Sequence, residues 1–330
     1  CCAQPHASSP DSSSYPGGTM RSDWHLEQGQ TVFQQHFGRA PKGVWLSEGG
    51  ISPDALELLQ KHDIQWTASG EGVWRHSRHH SKLESEGEES RRALFMPNRY
   101  RDNRVRIFFR DDGLSDLIGF VYSEWNATDA VADFVQHIVN IAEFLGEEAG
   151  DHVVSVILDG ENAWEYYPDN GYHFLSQLYT ALSQHEQINT ITFNAASQAL
   201  QSTELTEFCP GSWVYGSFST WIGHDEKNRA WDYLVEAKQV YDRVMEGDTL
   251  SAEQCQAASQ QLAICEGSDW FWWFGDHNPA DSVSDFDRLF RLQLRQLYQL
   301  LGEAEPVTLD IPLSRGGGHA ENAGTMRRNV

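Results

Sequence analysis

The sequence predicts an α/β fold, with parallel strands alternating with amphipathic helices, followed by a region that is nearly all helical. Three observations carry the prediction. Short apolar runs of strand type recur between segments of helical spacing, the alternation that builds a parallel sheet or barrel. Two of these runs, residues 43–46 and 153–158, lead into carboxylates beside glycines, which is where such folds keep their chemistry. From Ala230 onward the apolar residues recur at helical spacing with no strand between them.

Taken in order, residues 4–19 are rich in Ser and Pro and read as part of a disordered lead-in, residues 1–20. A helix over residues 21–37 stops at Gly38, and Pro41-Lys42 introduces the run toward Glu48. Pro53 opens a helix carrying Leu56, Leu58 and Leu59, before a strand at residues 64–67. His76-Ser77-Arg78-His79-His80 runs into the polar stretch 82–90 and reads as a mobile surface loop rather than a metal site. Residues 105–109 and 118–122 are short apolar runs of strand type. Val131, Phe134, Val135, Ile138, Ile141, Ala142 and Leu145 mark a helix that Gly146 ends. The strand that delivers Asp159 follows, then a helix with Phe174, Leu175, Leu178, Tyr179 and Leu182, then a strand at residues 190–193. Helices are expected over residues 230–246, 251–264 and 284–301, with Gly316-Gly317-Gly318 in a loose tail. The corresponding domains are a later part of a barrel at 21–225, a helical domain at 226–305 and a tail at 306–330.

The chain has 330 residues and is 40% hydrophobic, enough to bury a large core. Its formal charge of −24 argues against nucleic acid or an anionic membrane as partner, since both call for a basic surface. No apolar stretch reaches the ~18 residues that a membrane span needs. The acidity itself reads as a solubility feature. Five cysteines without paired short spacings give no disulfide framework or zinc knuckle, which favours a reducing, cytoplasmic compartment. Twelve Trp residues are more telling, because indoles need burial or a stacking ligand, and oligosaccharide grooves use such faces.

Trp45, Leu46 and Glu48, followed downstream by Asp159-Gly160-Glu161, resemble the catalytic motifs of glycoside hydrolase family 57, the retaining α-glucan enzymes. Gly211-Ser212-Trp213 with Trp221-Ile222-Gly223, Glu226, Asn228 and Ala230-Trp231 resembles the next block of amylopullulanase-type members. The aromatic segment from Glu266 to Asp276 and the helix from Asp285 to Arg291 continue in the same order. The similarity runs over about residues 38–304. It implies Glu48 as nucleophile, Asp159 as acid/base with a pKa raised by burial and by Glu48, and a (β/α)7 barrel. The family's amino-terminal His-Gln-Pro segment and Asn-containing strand motif have no counterpart, so the resemblance implies an incomplete barrel followed by a C-terminal helical domain, with part of the glycone pocket missing. Such a chain on its own is expected to be poorly soluble or inactive.

Further candidates for holding substrate are Trp45, Trp164, Trp221 and Trp270, which neighbour the matched acidic motifs. Glu161 could hold a sugar hydroxyl or cap the turn after the strand. Asp116 and His224 could contact sugar, or cap and pack. Asp269 and Asp276 flank the aromatic run, and the helical domain is expected to carry Trp270 and Asp276 toward the cleft. An α-glucan or maltooligosaccharide is the expected partner, with no cofactor and no metal. The sequence does not set the oligomeric state. Amylase or amylopullulanase activity, glucan transfer or branching, and an inactive glucan-binding role remain open. A metal-dependent polysaccharide deacetylase is disfavoured by the lack of a His-x-x-x-His pair near Asp159.

Overall fold

The structure, a computed structural model, describes residues 14–83, 91–160, 164–247 and 249–317. The chain divides into two compact units. Among the described residues, those within 30–217 form an α/β unit, and 14–29 join those from 218 to 317 in a helical unit.

The α/β unit holds strands β1 (Gly43–Val44), β2 (Trp66–Ser69), β3 (Asn98–Tyr100), β4 (Arg106–Phe109) and β5 (Thr203–Leu205), in the sheet order β1-β2-β4-β3-β5. The pairs β1/β2, β2/β4 and β3/β5 are parallel and β3/β4 is antiparallel. This is a mixed, mainly parallel sheet of an α/β fold. Since β1, β2 and β4 run the same way, the Glu48 turn, Gly70-Glu71 and Arg110-Asp111-Asp112 all leave the sheet at its carboxyl edge. One sheet face buries Ala68 and Phe108, which are register partners, with Ala196 and the partly buried Trp45, Trp66, Val153, Ile157 and Phe193.

Local chemistry explains the helices. Helix α1 (Gly18–Phe37) ends where Gly38 takes φ +68°, and α2 (Pro53–Lys61) begins with the Ser52 hydroxyl accepting from Ala55 N at 3.1 Å. Helix α3 (Glu71–His80) replaces the expected surface loop at His76–His80: Ser77 is buried and bonds Cys209 N at 2.9 Å, while His76 Nδ1 meets Gly216 O at 3.0 Å. Its exposed His and Arg residues look loop-like only because they occupy the solvent side. The stretch 84–90 lies outside the described residues.

Residues 118–122, expected as a strand, are helical. Asp111 caps α4 (Asp112–Asp116), which runs on as a π-helical turn (Leu117–Val121). The reason is a stripe at four-residue spacing: Leu114, Ile118 and Tyr122 bury one face against Phe134, Tyr167 and Phe174. Helix α5 (Ala127–Leu145), stopped by Gly146 at φ +66°, and α6 (Tyr172–Gln184) follow the expected pattern. The strand expected at 190–193 is instead the cap and start of α7 (Phe193–Ala199), with Thr192 Oγ1 accepting from Ala195 N at 3.2 Å. Residues 153–158 do alternate in strand fashion, Val153 and Ile157 facing one cluster and Val154, Val156 and Leu158 the other. They pair only at single points, however, and form no ladder with the sheet.

In the helical unit, α8 (Asp225–Met245), α9 (Ala252–Cys265), the short α10 (Asp269–Trp273) and α11 (Ala280–Leu301) enclose Leu234, Leu262, Cys265, Phe271, Phe290, Leu294 and Leu297, all fully buried. Ser251 and Gln254 close a capping box on α9, and Gly302 at φ +69° ends α11. The residues just after 305, expected to begin a tail, are packed. Leu309 and Leu313 are buried, and Leu313 N and Ser314 N donate to the buried Asp287 carboxylate at 2.7 and 3.2 Å. Residues 318–330 lie outside the described residues. No helix among the described residues is long and apolar enough to cross a membrane.

The lead-in also has structure from Ser14 on. Glu266 accepts from Tyr15 OH at 2.6 Å, Arg21 Nη2 at 2.8 Å and His25 Nε2 at 2.8 Å. Burial alone would raise this carboxyl, but the bonds from His25, Arg21 and Tyr15 outweigh it and hold it at about 2. A folded value below the ordinary 4.5 stabilises the native state above pH 4.5, and the stabilisation is lost as pH falls from there toward 2. It amounts to about 3 kcal/mol at neutral pH, from about 1.4 kcal/mol per unit of pKa. Glu266→Gln is therefore expected to flatten the fall of melting temperature between pH 5 and pH 2. An unchanged slope would show that this cluster does not drive acid unfolding.

Candidate active site

Glu48 occupies a tight turn just beyond β1. Gly49 N donates to Leu46 O at 2.8 Å, Gly50 N donates to Ser47 O at 2.9 Å, and Ser69 Oγ at the end of β2 donates to Gly49 O at 2.6 Å. Within the turn Glu48 takes φ +52° and ψ 30°, a left-handed conformation that costs a residue with a Cβ about 1–2 kcal/mol. Gly49 follows at φ +59°, and a Cβ on it would lie 2.6 Å from the Trp45 ring, so this ring is seated directly on the turn. Trp213 holds Glu48 twice: its backbone N donates to Glu48 O at 3.2 Å and its indole Nε1 donates to Glu48 Oε2 at 2.7 Å.

Behind the indole sits Arg110, the residue after β4. Its guanidinium carbon lies 4.9 Å from the Trp213 ring centroid. Nη1 bonds Asp112 at 2.9 Å, Nη2 bonds Asp116 at 2.6 Å, and Nε donates to Ile157 O at 3.0 Å. Burial pushes the Asp112 carboxyl up to about 6 even though Arg110 pulls it down, with Glu71 and Asp116 adding to the rise. Burial also raises Asp111, and Glu71 adds to that rise. Asp116 is thus a partner of Arg110, half exposed, with one edge available for other contacts.

Asp159 stands half-buried at the end of the extended stretch 153–158, with Gly160 exposed beyond it. Three bonds fix that stretch to the β4–α4 connection: Asp111 N to Ser155 O at 2.8 Å, Ile157 N to Ser115 Oγ at 3.2 Å, and Arg110 Nε to Ile157 O. Glu161 lies outside the described residues. Trp164 packs 5.5 Å from Tyr167 and 6.5 Å from Phe174, inside the aromatic cluster beneath α5 and α6.

The pattern of Glycosyl hydrolase family 57 matches residues 19–208, a span that includes Glu48, Arg110 and Asp159. The chain belongs to glycosyl hydrolase family 57. Its fold is also that of solved enzymes. A family 57 branching enzyme of Thermococcus kodakaraensis superposes with a TM-score of 0.68 at 16% identity, over 96% of this chain and 72% of that one. An α-amylase of Thermotoga maritima gives 0.60 at 14%, over 89% and 67%. A 4-α-glucanotransferase of Thermococcus litoralis gives 0.58 at 17%, over 83% and 45%. No curated protein sequence matches the chain.

The remaining candidates of this family 57 chain lie in its helical unit. Trp221 is buried 5.5 Å from Trp272, and its carbonyl accepts from Trp231 Nε1 at 3.1 Å. His224 caps α8 by accepting from Glu226 N at 3.3 Å, and its ring lies 5.4 Å from that of His277. Trp270 packs on Phe286 and Phe290 and donates to Ile264 O at 2.9 Å. Asp269, the exposed first residue of α10, suits a helix amino terminus, and Asp276 is exposed. Sequence reasoning did not single out Arg110 and Asp112, and it named Trp213 only within the matched block Gly211-Ser212-Trp213, with no role at Glu48. A signal for Arg110 and Asp112 existed, since they directly follow the 105–109 run and obey the same strand-end rule as Glu48. Trp213 stands 165 residues from its partner Glu48, and no local pattern announces that contact.

Proposed function

We propose that this family 57 chain is a retaining glycoside hydrolase acting on α-glucans, with Glu48 as nucleophile and Asp159 as acid/base. The observation that carries the reading is the Glu48 carboxylate, bonded by the Trp213 indole in a strained turn at the carboxyl edge of a parallel sheet. A donor to the ionised form keeps a carboxylate ready to attack. In the first step a Glu48 oxygen bonds to the anomeric carbon while the glycosidic C–O bond breaks, and Asp159 delivers its proton to the departing oxygen. In the second, Asp159 takes a proton from water, whose oxygen attacks the same carbon and releases Glu48, so two inversions restore the configuration. The α-1,4 bonds of starch, glycogen and maltooligosaccharides are the proposed targets, with α-1,6 bonds as an extension. The neighbours that transfer or branch glucans favour a second reading, in which a sugar hydroxyl replaces the water.

The test is incubation with maltoheptaose, amylopectin and pullulan, with products separated by size and newly formed anomers followed by proton NMR. Shorter α-anomeric products are expected from hydrolysis, and chains longer than seven units would point to transfer. Release of the β-anomer first would refute retention, and no change in any of the three glucans would refute the substrate class.

A further inference from the structure

We propose that Arg110 is a positioning residue that sets the relative placement of the two reacting carboxylates, acting on Glu48 through Trp213 and on the Asp159 segment through the Ile157 carbonyl. The proposal rests on the nucleophile and acid/base roles given above. The Arg110 side chain is 5% exposed, so its charge must be neutralised and hydrogen-bonded within the protein. The Asp112 and Asp116 carboxylates supply the neutralisation, and together with the Ile157 carbonyl they receive three bonds from three different nitrogens. Bonds from three nitrogens of one planar group leave it little freedom to rotate. Its central carbon then lies over the Trp213 ring, 4.9 Å from the centroid, and the edge of that ring carries the donor to Glu48. A cation over an indole withdraws electron density and makes the N–H a better donor to an ionised oxygen.

One guanidinium therefore touches both arms of the reaction. On one side it orients the ring that aims Glu48. On the other it holds the backbone two residues before Asp159. Retention needs the carboxyl groups about 5 Å apart, and a misplacement of ~1 Å costs about 100-fold in rate. A Lys at 110 would restore the charge, but as a point with no plane to hold three partners and a ring.

The test uses the full chain, 4-nitrophenyl α-maltoheptaoside as probe, and 15N-labelled tryptophan. Trp213→Phe keeps a ring under Arg110 but removes the donor, and the signal it deletes assigns the Trp213 indole. Arg110→Lys, Arg110→Met and Trp213→Phe are each expected to lower kcat about 30- to 100-fold with KM changed less than about threefold. Both Arg110 variants are expected to shift the Trp213 indole signal in the folded protein. An arginine that only stabilises the fold would lower the melting temperature while leaving kcat per folded molecule and the indole signal unchanged, and that outcome overturns the proposal. Glu48→Gln separates the two levels of inference. Retained turnover in that variant removes the nucleophile reading and this proposal together, whereas an inactive Glu48→Gln beside fully active Arg110 variants removes this one alone.

Discussion

Glu48→Gln is expected to reduce turnover of maltooligosaccharides by about 10⁴-fold or more, the scale on which loss of a covalent nucleophile is felt. The amide keeps the volume of Glu48 and an oxygen to accept from the Trp213 indole, so the turn and its melting temperature should hardly change. What disappears is the negative charge that attacks the anomeric carbon. Added azide should restore little, because the amide still fills the space an external anion would need. Steady-state kinetics beside thermal unfolding make the measurement. A folded Glu48→Gln protein within tenfold of the parent rate would place the nucleophile elsewhere.

Asp159→Ala is expected to behave differently according to the leaving group. On maltooligosaccharides, whose departing oxygen needs a proton, the loss should reach about 10²- to 10⁴-fold, the usual worth of general acid catalysis. On 2,4-dinitrophenyl or fluoride glycosides the first step needs no acid and should survive. The second step would then lag, since no base activates water, and azide should accelerate it by giving an α-glycosyl azide. Rates on the two substrate types, with and without azide, decide the matter. Equal losses on both, unrelieved by azide, would assign Asp159 to binding or structure.

Much of this was readable in the sequence because the relevant physics is local. Gly38 and Gly146 end helices through their own backbone freedom, and both take a positive φ in the structure. The two proposed carboxylates stand out in the sequence because apolar runs point at them, and Glu48 does lie at the carboxyl edge of the sheet just past β1. Misreadings came where a short apolar run fits two periods. Residues 118–122 suit a strand until Asp111 is recognised as a cap and Leu114, Ile118 and Tyr122 as one face. Residues 190–193 fail the same way, with Thr192 capping rather than pairing. Strands β3 and β5 carry Asn98-Arg99-Tyr100 and Thr203-Glu204-Leu205, which have no apolar alternation and are strands through tertiary pairing, β3 with β4 and β5, and β5 with β3. The grip of Trp213 and Arg110 on Glu48 joins residues remote in sequence, and only folding brings them together.

The make-up of the helical unit has a bearing on how the chain is made. Residues 30–217 are contiguous, so this segment has been synthesised before α8 is begun. Tyr15, Arg21 and His25 are synthesised early, yet their common acceptor is Glu266. Until residue 266 is made these three side chains have no Glu266 to bond, and the first turns of α1 must wait. The α/β unit is therefore the natural first foldon and the helical unit a later one, closed only when its two segments, before residue 30 and after residue 217, are both present.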